Sequence, residues 1–152
     1  MIEAEDYKTG GEGVGYHDTT AGNAGGAYRS DDVDIQATSD SQGGYHIIWL
    51  AKGEWLAYDV MVAEDGDYDI TARVASGGGG TKTFHLEIDG RDVTGPVNFN
   101  YSSGWNDWQN HTVRNVKLTA GQHEMRLVFD TGWYRINYLD LTASSQSSEG
   151  PR

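Results

Sequence analysis

The chain has no cysteine and only two prolines among its 152 residues. The missing thiols exclude disulfides and thiolate metal sites, and they leave the compartment open. Apolar runs are only a few residues long, too short for a membrane-spanning helix. Basic residues are also scarce. Lys and Arg number 11 against 23 Asp and Glu, a formal net charge of −12. So acidic a chain repels nucleic acid and anionic membrane surfaces at long range, and neither is expected as a partner. No stretch keeps the 3.6-residue period of an amphipathic helix.

Aromatics and glycine are abundant, with five Trp, nine Tyr and 21 Gly. That many aromatics is incompatible with a disordered chain, and together with β-branched residues they favour strands joined by tight turns. The length suits one domain. Residues 1–142 are read as an all-β sandwich of jelly-roll type, and the Ser-rich residues 143–152 as a disordered linker or cloning remnant. The initial Met is read as an added start, so an export signal is expected in a longer parent.

Residues 2–7 alternate apolar and acidic side chains as a short strand would, which sets Glu3 and Glu5 on one face. Carboxylates so close repel unless they are exposed or a cation lies between them. Residues 8–31 read as a long polar loop, with a short strand near Ala27–Arg29. Strands follow over Val33–Gln36, Tyr45–Leu50 and Trp55–Val62. Further on, Tyr68, Ile70, Ala72 and Val74 form one buried face, and Phe84, Leu86 and Ile88 another. Asp89-Gly90 signals a hairpin. Residues 91–104 read as a loop, and the last strands as Thr112–Leu118, Glu124–Phe129 and Tyr134–Leu141.

In Gly53-Glu54-Trp55-Leu56-Ala57-Tyr58-Asp59-Val60-Met61-Val62, period 2 sends Leu56, Tyr58, Val60 and Val62 to the core and Trp55 to the opposite face. A large aromatic offered to solvent at a strand's first residue suggests a binding platform. Tyr45 and Trp49 are read as core or strand-face residues.

Other chemistries find little support. Gly77 to Gly80 precede a strand, not the helix that a phosphate loop needs. The five His show no metal-ligand spacing, and no Ser-centred nucleophile elbow occurs. A glycosidase needs two carboxylates across a cleft, and among 23 acidic residues some pair meets that by chance. No enzyme activity is therefore expected. A protein-binding adhesion sandwich stays open as another class; it predicts an exposed apolar patch along a sheet face.

Six stretches in order resemble the family 6 carbohydrate-binding modules. They are Ile2-Glu3-Ala4-Glu5-Asp6-Tyr7, then Tyr28-Arg29 with Val33-Asp34-Ile35, then Gly53-Glu54-Trp55-Leu56-Ala57-Tyr58-Asp59-Val60. The Trp105 and Trp108 pair, Thr119-Ala120-Gly121-Gln122-His123 and Asn137-Tyr138-Leu139-Asp140-Leu141 complete the set. The resemblance covers residues 2–142 and implies a jelly roll that holds a sugar ring between two aromatics in a loop cleft. By motif position those aromatics are Trp55 and Trp105; Trp133, beside Arg135 in the last loop, either extends the cleft or simply packs, and Trp108 is read as packing inside at the start of a strand. The polar wall falls on Arg135, Gln36 and His46, where many members carry Asn, an acidic residue and Asn respectively. These departures weigh against the β-1,4 ligands usual in the family, and Arg135 suits several hydroxyls, a sulfate or a carboxylate.

The resemblance further implies a structural calcium held by Glu3, Glu5, Asp140 and the carbonyl of Arg29. It implies a secreted, monomeric, non-catalytic module that joins polysaccharide to a catalytic domain in the same parent chain. A β-1,3-glucan such as laminarin is the first expected ligand, with agar-type or other algal galactans, or a β-1,4-glycan, as alternatives.

Overall fold

The computed structural model describes residues 1–41, 43–100 and 103–144. Twelve strands, all paired antiparallel, form two sheets packed as a β-sandwich, and the described residues contain no helix.

In one sheet the order is β10 (Gln109–Leu118), β6 (Gly66–Ala75), β12 (Arg135–Ala143), β4 (Tyr45–Ile47) and β3 (Ile35–Ala37). β1 (Ile2–Glu3) also pairs with β12, setting Glu3 opposite Tyr138. The second sheet runs β2 (Tyr16–His17), β5 (Trp55–Val62), β11 (Gly121–Phe129), β7 (Thr81–Ile88) and β8 (Arg91–Asp92), with β9 (Val97–Asn100) also on β7. The antiparallel order lets each strand send alternate residues inward. Leu56, Tyr58, Val60 and Val62 of β5 join Ile70, Ala72 and Val74 of β6 and Phe84, Leu86 and Ile88 of β7 in one core. The alternation read from the sequence is therefore the one that the fold uses.

Turn chemistry fixes the register. Asp89 and Gly90 both take positive φ, 51° and 84°, as the two-residue turn between β7 and β8 demands. A register shift between Val113 and Val116 bends β10 against β6, with Asn115 at φ 59°.

Three expectations need correction. Ala27–Arg29 is not a strand; Tyr28 sits at φ 69°, where a ladder cannot continue. The stretch read as a long polar loop contains β2, and the one read over 91–104 contains β8 and β9. β2 and β8 are two residues each, too short to show a period. The tail from residue 145 lies outside the described residues.

Candidate functional site

Loops at one edge of the sandwich enclose a cavity of about 250 Å³ lined by Gln36, Ile48, Trp49, Trp105, Trp133 and Arg135, with Tyr134 at its back. Three of the five tryptophans converge here. Trp49 and Trp133 are 60% and 63% exposed, and their rings meet edge to face at 6.1 Å between centroids. Ile48 and Leu50 on either side of Trp49, and Tyr134 after Trp133, are buried, so the chain turns each indole outward beside a buried neighbour.

Both exposed tryptophans hold the left-handed backbone, Trp49 at φ 54° and Trp133 at φ 66°. That region is costly for a bulky side chain and persists only where the surroundings over-determine it. The surroundings do so here. Trp133 N–H donates to the Leu50 carbonyl at 3.2 Å, and the buried Ser76 hydroxyl donates to the Trp133 carbonyl at 3.0 Å. The buried Glu54 carboxylate ties down the Trp49 turn, accepting from Ala51 N–H at 3.0 Å and from the Thr19 N–H and hydroxyl at 2.8 and 2.7 Å.

Trp105 enters from the loop before β10. Its indole lies against Gly77, where an added Cβ would come within 2.6 Å of Cδ1 and Nε1. The glycine is what lets the ring approach. Arg135, at the start of β12, fastens the same loop by donating from Nη1 to the Trp105 carbonyl at 3.2 Å and to Asn106 Oδ1 at 3.1 Å. Its guanidinium stands 5.5 Å from the Trp105 ring centre. Burial lowers the Arg135 pKa below the ordinary value.

Behind Gln36 is His46, buried on the same sheet face, with Nε2 3.2 Å from Gln36 Oε1. Burial first, and then the Arg135 charge, push the His46 pKa down to about 4. The ring is therefore neutral at pH 7. It must carry its proton on Nε2 to meet an amide oxygen, and Nδ1, which has no partner, is the unprotonated nitrogen. The hydrogen bond orients Gln36, occupying its carbonyl and leaving its NH₂ free. Trp108 packs 5.1 Å from the His46 ring with its Nε1 buried, in keeping with an interior role.

Of the expected binding residues, Trp105, Trp133, Arg135 and Gln36 come together, and His46 supports them from beneath. Trp55 does not join them. β5 puts it on the outer face of the other sheet, opposite Val128 and His17, with the Arg126 guanidinium 3.9 Å from its ring centre. The aromatics that share the cavity with Trp105 are Trp49 and Trp133. Trp49 is neither core nor ordinary strand face, as the sequence had suggested. The expected strand Tyr45–Leu50 stops at Ile47, and Trp49 sits in the turn beyond it at φ 54°, its ring outward between buried Ile48 and Leu50.

Beside the middle of β12, where β1 pairs, Glu3 Oε2 and Glu5 Oε1 are buried without a hydrogen-bond partner among the described residues. Burial, and then the nearby Glu3 and Asp6 charges, raise the Glu5 pKa to about 7. Asp140 meets the N-terminal ammonium at 3.5 Å, and the Arg29 carbonyl accepts from Asn23 Nδ2 at 2.8 Å. Arg29 also donates to the Glu5 and Tyr7 carbonyls at 3.1 and 2.7 Å. Among the described residues, no three His, Asp or Glu side chains gather as a ready metal cluster.

Comparison with known proteins agrees with this architecture. The C-terminal family 6 module of a marine laminarinase from Zobellia galactanivorans superposes with a TM-score of 0.67 at 26% identity, covering 93% of this chain and 96% of that one. A β-1,3-glucan-binding family 6 module from Bacillus halodurans gives 0.69 at 25% identity over 93% and 94%. Among curated sequences, the clotting factor G alpha subunit of Tachypleus tridentatus is 29% identical over 125 residues, 80% of this chain and 18% of that protein. A cycloisomaltooligosaccharide glucanotransferase of Niallia circulans is 28% identical over 119 residues, 74% of this chain and 12% of the enzyme. The chain thus spans less than a fifth of either curated relative. The family described as carbohydrate binding module (family 6) matches residues 23–143, and the chain belongs to that family.

Proposed function

We propose that the cavity between Trp49, Trp105 and Trp133 binds a polysaccharide, seating a sugar ring at or near a chain end. The carrying observation is the convergence of three indoles on one small cavity, two of them exposed and held in costly backbone conformations. The axial C–H face of a pyranose is apolar and packs on an indole, while hydroxyls at its rim reach donors and acceptors. Arg135 and Gln36 supply those donors. Among the described residues the cavity lining has no carboxylate, whereas glycoside hydrolysis needs two, which supports a binding role without catalysis.

β-1,3-glucan is the first ligand to try, because a neighbour of similar fold is described as binding it. A shallow site that orders few groups gives affinities in the micromolar to millimolar range, roughly −8 to −4 kcal/mol. In a secreted parent enzyme, such a module raises the effective concentration of substrate at the catalytic domain.

The test is tryptophan emission titrated with laminarin, agaro-oligosaccharides, xylo-oligosaccharides and acidic oligosaccharides. At least one is expected to shift the emission of the intact protein, and Trp49→Ala and Trp133→Ala to abolish the shift. A panel without any response, or a response that survives both substitutions, refutes the cavity as the site.

The acidic pair at β1 supports a second proposal, a structural divalent ion of calcium type. Hard cations take carboxylate and carbonyl oxygens, and the unpartnered oxygens of Glu3 and Glu5 fit that chemistry. Glu3 and Glu5 would hold the ion, with Asp140 and the Arg29 carbonyl completing the set in exchange for their present partners. Bound there, the ion would neutralise the pair and tie the first strand to the last.

A further inference from the structure

Most basic side chains among the described residues are of two kinds. Lys8, Arg29, Arg73, Arg114, Lys117 and Arg126 each have a carboxylate oxygen within 3.5 Å. Lys52 and Arg91 have no such partner among the described residues and stand in solvent, which hydrates them. Lys82 and Arg135 fit neither description. Lys82 is 8% exposed and Arg135 half-buried, and among the described residues neither makes an ion pair. In a chain with 23 acidic and 11 basic residues, two sequestered cations without a carboxylate are unexpected. An unpaired buried charge is costly.

Arg135 lines the cavity, and Lys82 stands behind two of its indoles. Lys82 occupies an inward position of β7, in phase with Phe84, Leu86 and Ile88, so its stem enters the end of the core. Its ammonium comes out beside Gly78. A Cβ placed on that glycine would lie 3.8 Å from Lys82 Nζ, 4.0 Å from Trp105 Cη2 and 4.0 Å from the Trp133 carbonyl. The lysine therefore snorkels toward the indoles that line the cavity. Arg135 spends only Nη1 on Trp105 and Asn106, and its Nε and Nη2 make no bond among the described residues. Gln36 is set by His46 to offer its NH₂. The wall thus offers donors and carries the Arg135 charge, with the Lys82 ammonium behind it, and among the described residues it contains no acidic residue.

We propose that the cavity recognises a sugar bearing an oxyanion, a carboxylate or a sulfate ester, through Arg135, with Lys82 adding positive charge from behind the indoles. A planar carboxylate or a sulfate face accepts two bonds from the guanidinium fork, and the nearby ammonium raises the local positive potential without touching the sugar. The inference rests on the cavity being the glycan site and narrows it: neutral laminarin is then a weak ligand beside an acidic one. The −12 net charge of the chain favours a single anionic residue at a chain end or branch over a dense polyanion.

The test is isothermal titration calorimetry on two matched pairs, one for each source of the anion. Xylotetraose is compared with its glucuronic-acid-substituted counterpart, and neoagarotetraose with a sulfated carrageenan tetrasaccharide. In at least one pair the acidic member is expected to bind about tenfold tighter or more. Raising NaCl from about 0.05 to about 0.5 M should weaken that member and not its neutral match. Arg135→Gln and Lys82→Met should each pull the ratio towards one. Arg135→Lys, which keeps the charge, should retain part of it, and thermal melts confirm that each variant is folded. Neutral members binding as tightly as the acidic ones in both pairs overturn the inference and leave the glycan reading standing, as does a preference that survives both charge-removing substitutions. If no tetrasaccharide binds and the wider panel is also silent, the glycan reading itself falls.

Discussion

Lowering the pH should destabilise the protein through His46, by an amount that can be worked out beforehand. Unfolded, the imidazole takes a proton near 6.5; folded, burial and the Arg135 charge hold that step down to about 4. Between those values the unfolded chain binds more protons, so stability falls as pH falls and is indifferent to His46 above 6.5. At ~1.36 kcal/mol per tenfold difference in proton affinity, the loss reaches about 3 kcal/mol by pH 4. The raised Glu5, Asp18 and Asp34 carboxyls oppose this, since they gain stability as they protonate. The measurement must therefore be a difference. Urea unfolding of the protein and of His46→Asn at matched pH isolates the imidazole, and the stability of the former relative to the latter should drop by about 3 kcal/mol between pH 7.5 and pH 4. Nitrogen chemical shifts of the ring should report a neutral tautomer protonated on Nε2 at pH 6. A stability difference constant across the range, or an imidazole that titrates near 6.5, refutes both the assigned burial and the proposed orientation of Gln36.

Two further outcomes follow from other parts of the molecule. Gly77→Ala meets no backbone penalty, since the residue lies outside the left-handed region, yet its Cβ would press within 2.6 Å of the Trp105 indole. It should weaken glycan binding by roughly tenfold, ~1.4 kcal/mol, with little change in melting temperature; unchanged affinity on a bound glycan would show that the seat of Trp105 is irrelevant. Glu5, raised to about 7 by burial, should cost stability as pH rises from 4.5 through 7, by about 3 kcal/mol when no cation is present. Calcium should remove that fall. Melting curves at pH 8 that coincide with and without calcium, after exhaustive chelation, would dismiss the ion.

The sandwich was legible because its long strands obey one rule. Leu56, Tyr58, Val60 and Val62 alternate with residues that face away, and the same holds for Phe84, Leu86 and Ile88. β9 also alternates, with Val97 and Phe99 buried and Asn98 and Asn100 exposed, but it is short and follows Gly95-Pro96, which reads as loop. The candidate site is legible in part. The sequence brings Trp105, Trp133, Arg135 and Gln36 to one cavity, but the motif sets Trp55 across from Trp105, where the cavity lining has Trp49. Both indoles point outward by alternation. What separates them is which sheet edge the loops after β4 and β11 reach, and that depends on tertiary contacts such as Trp133 N–H to the Leu50 carbonyl. Lys82 is a different case. It shares the phase of Phe84, Leu86 and Ile88, but a charged residue at a strand's start reads as outside the apolar set, and only the structure shows it buried.

The left-handed backbones of Trp49 and Trp133 bear on how this protein would respond to selection. Glycine or asparagine at either position would relax the chain by roughly 1–3 kcal/mol while removing an indole from the cavity. Libraries sorted for thermal resistance alone would therefore drift toward a firmer sandwich with a blank edge. Libraries sorted on ligand would hold both tryptophans and tolerate the lower melting point. At these two positions the most heat-resistant substitution and the best-binding residue are expected to differ, so a stability scan would locate the recognition surface by the residues it rejects.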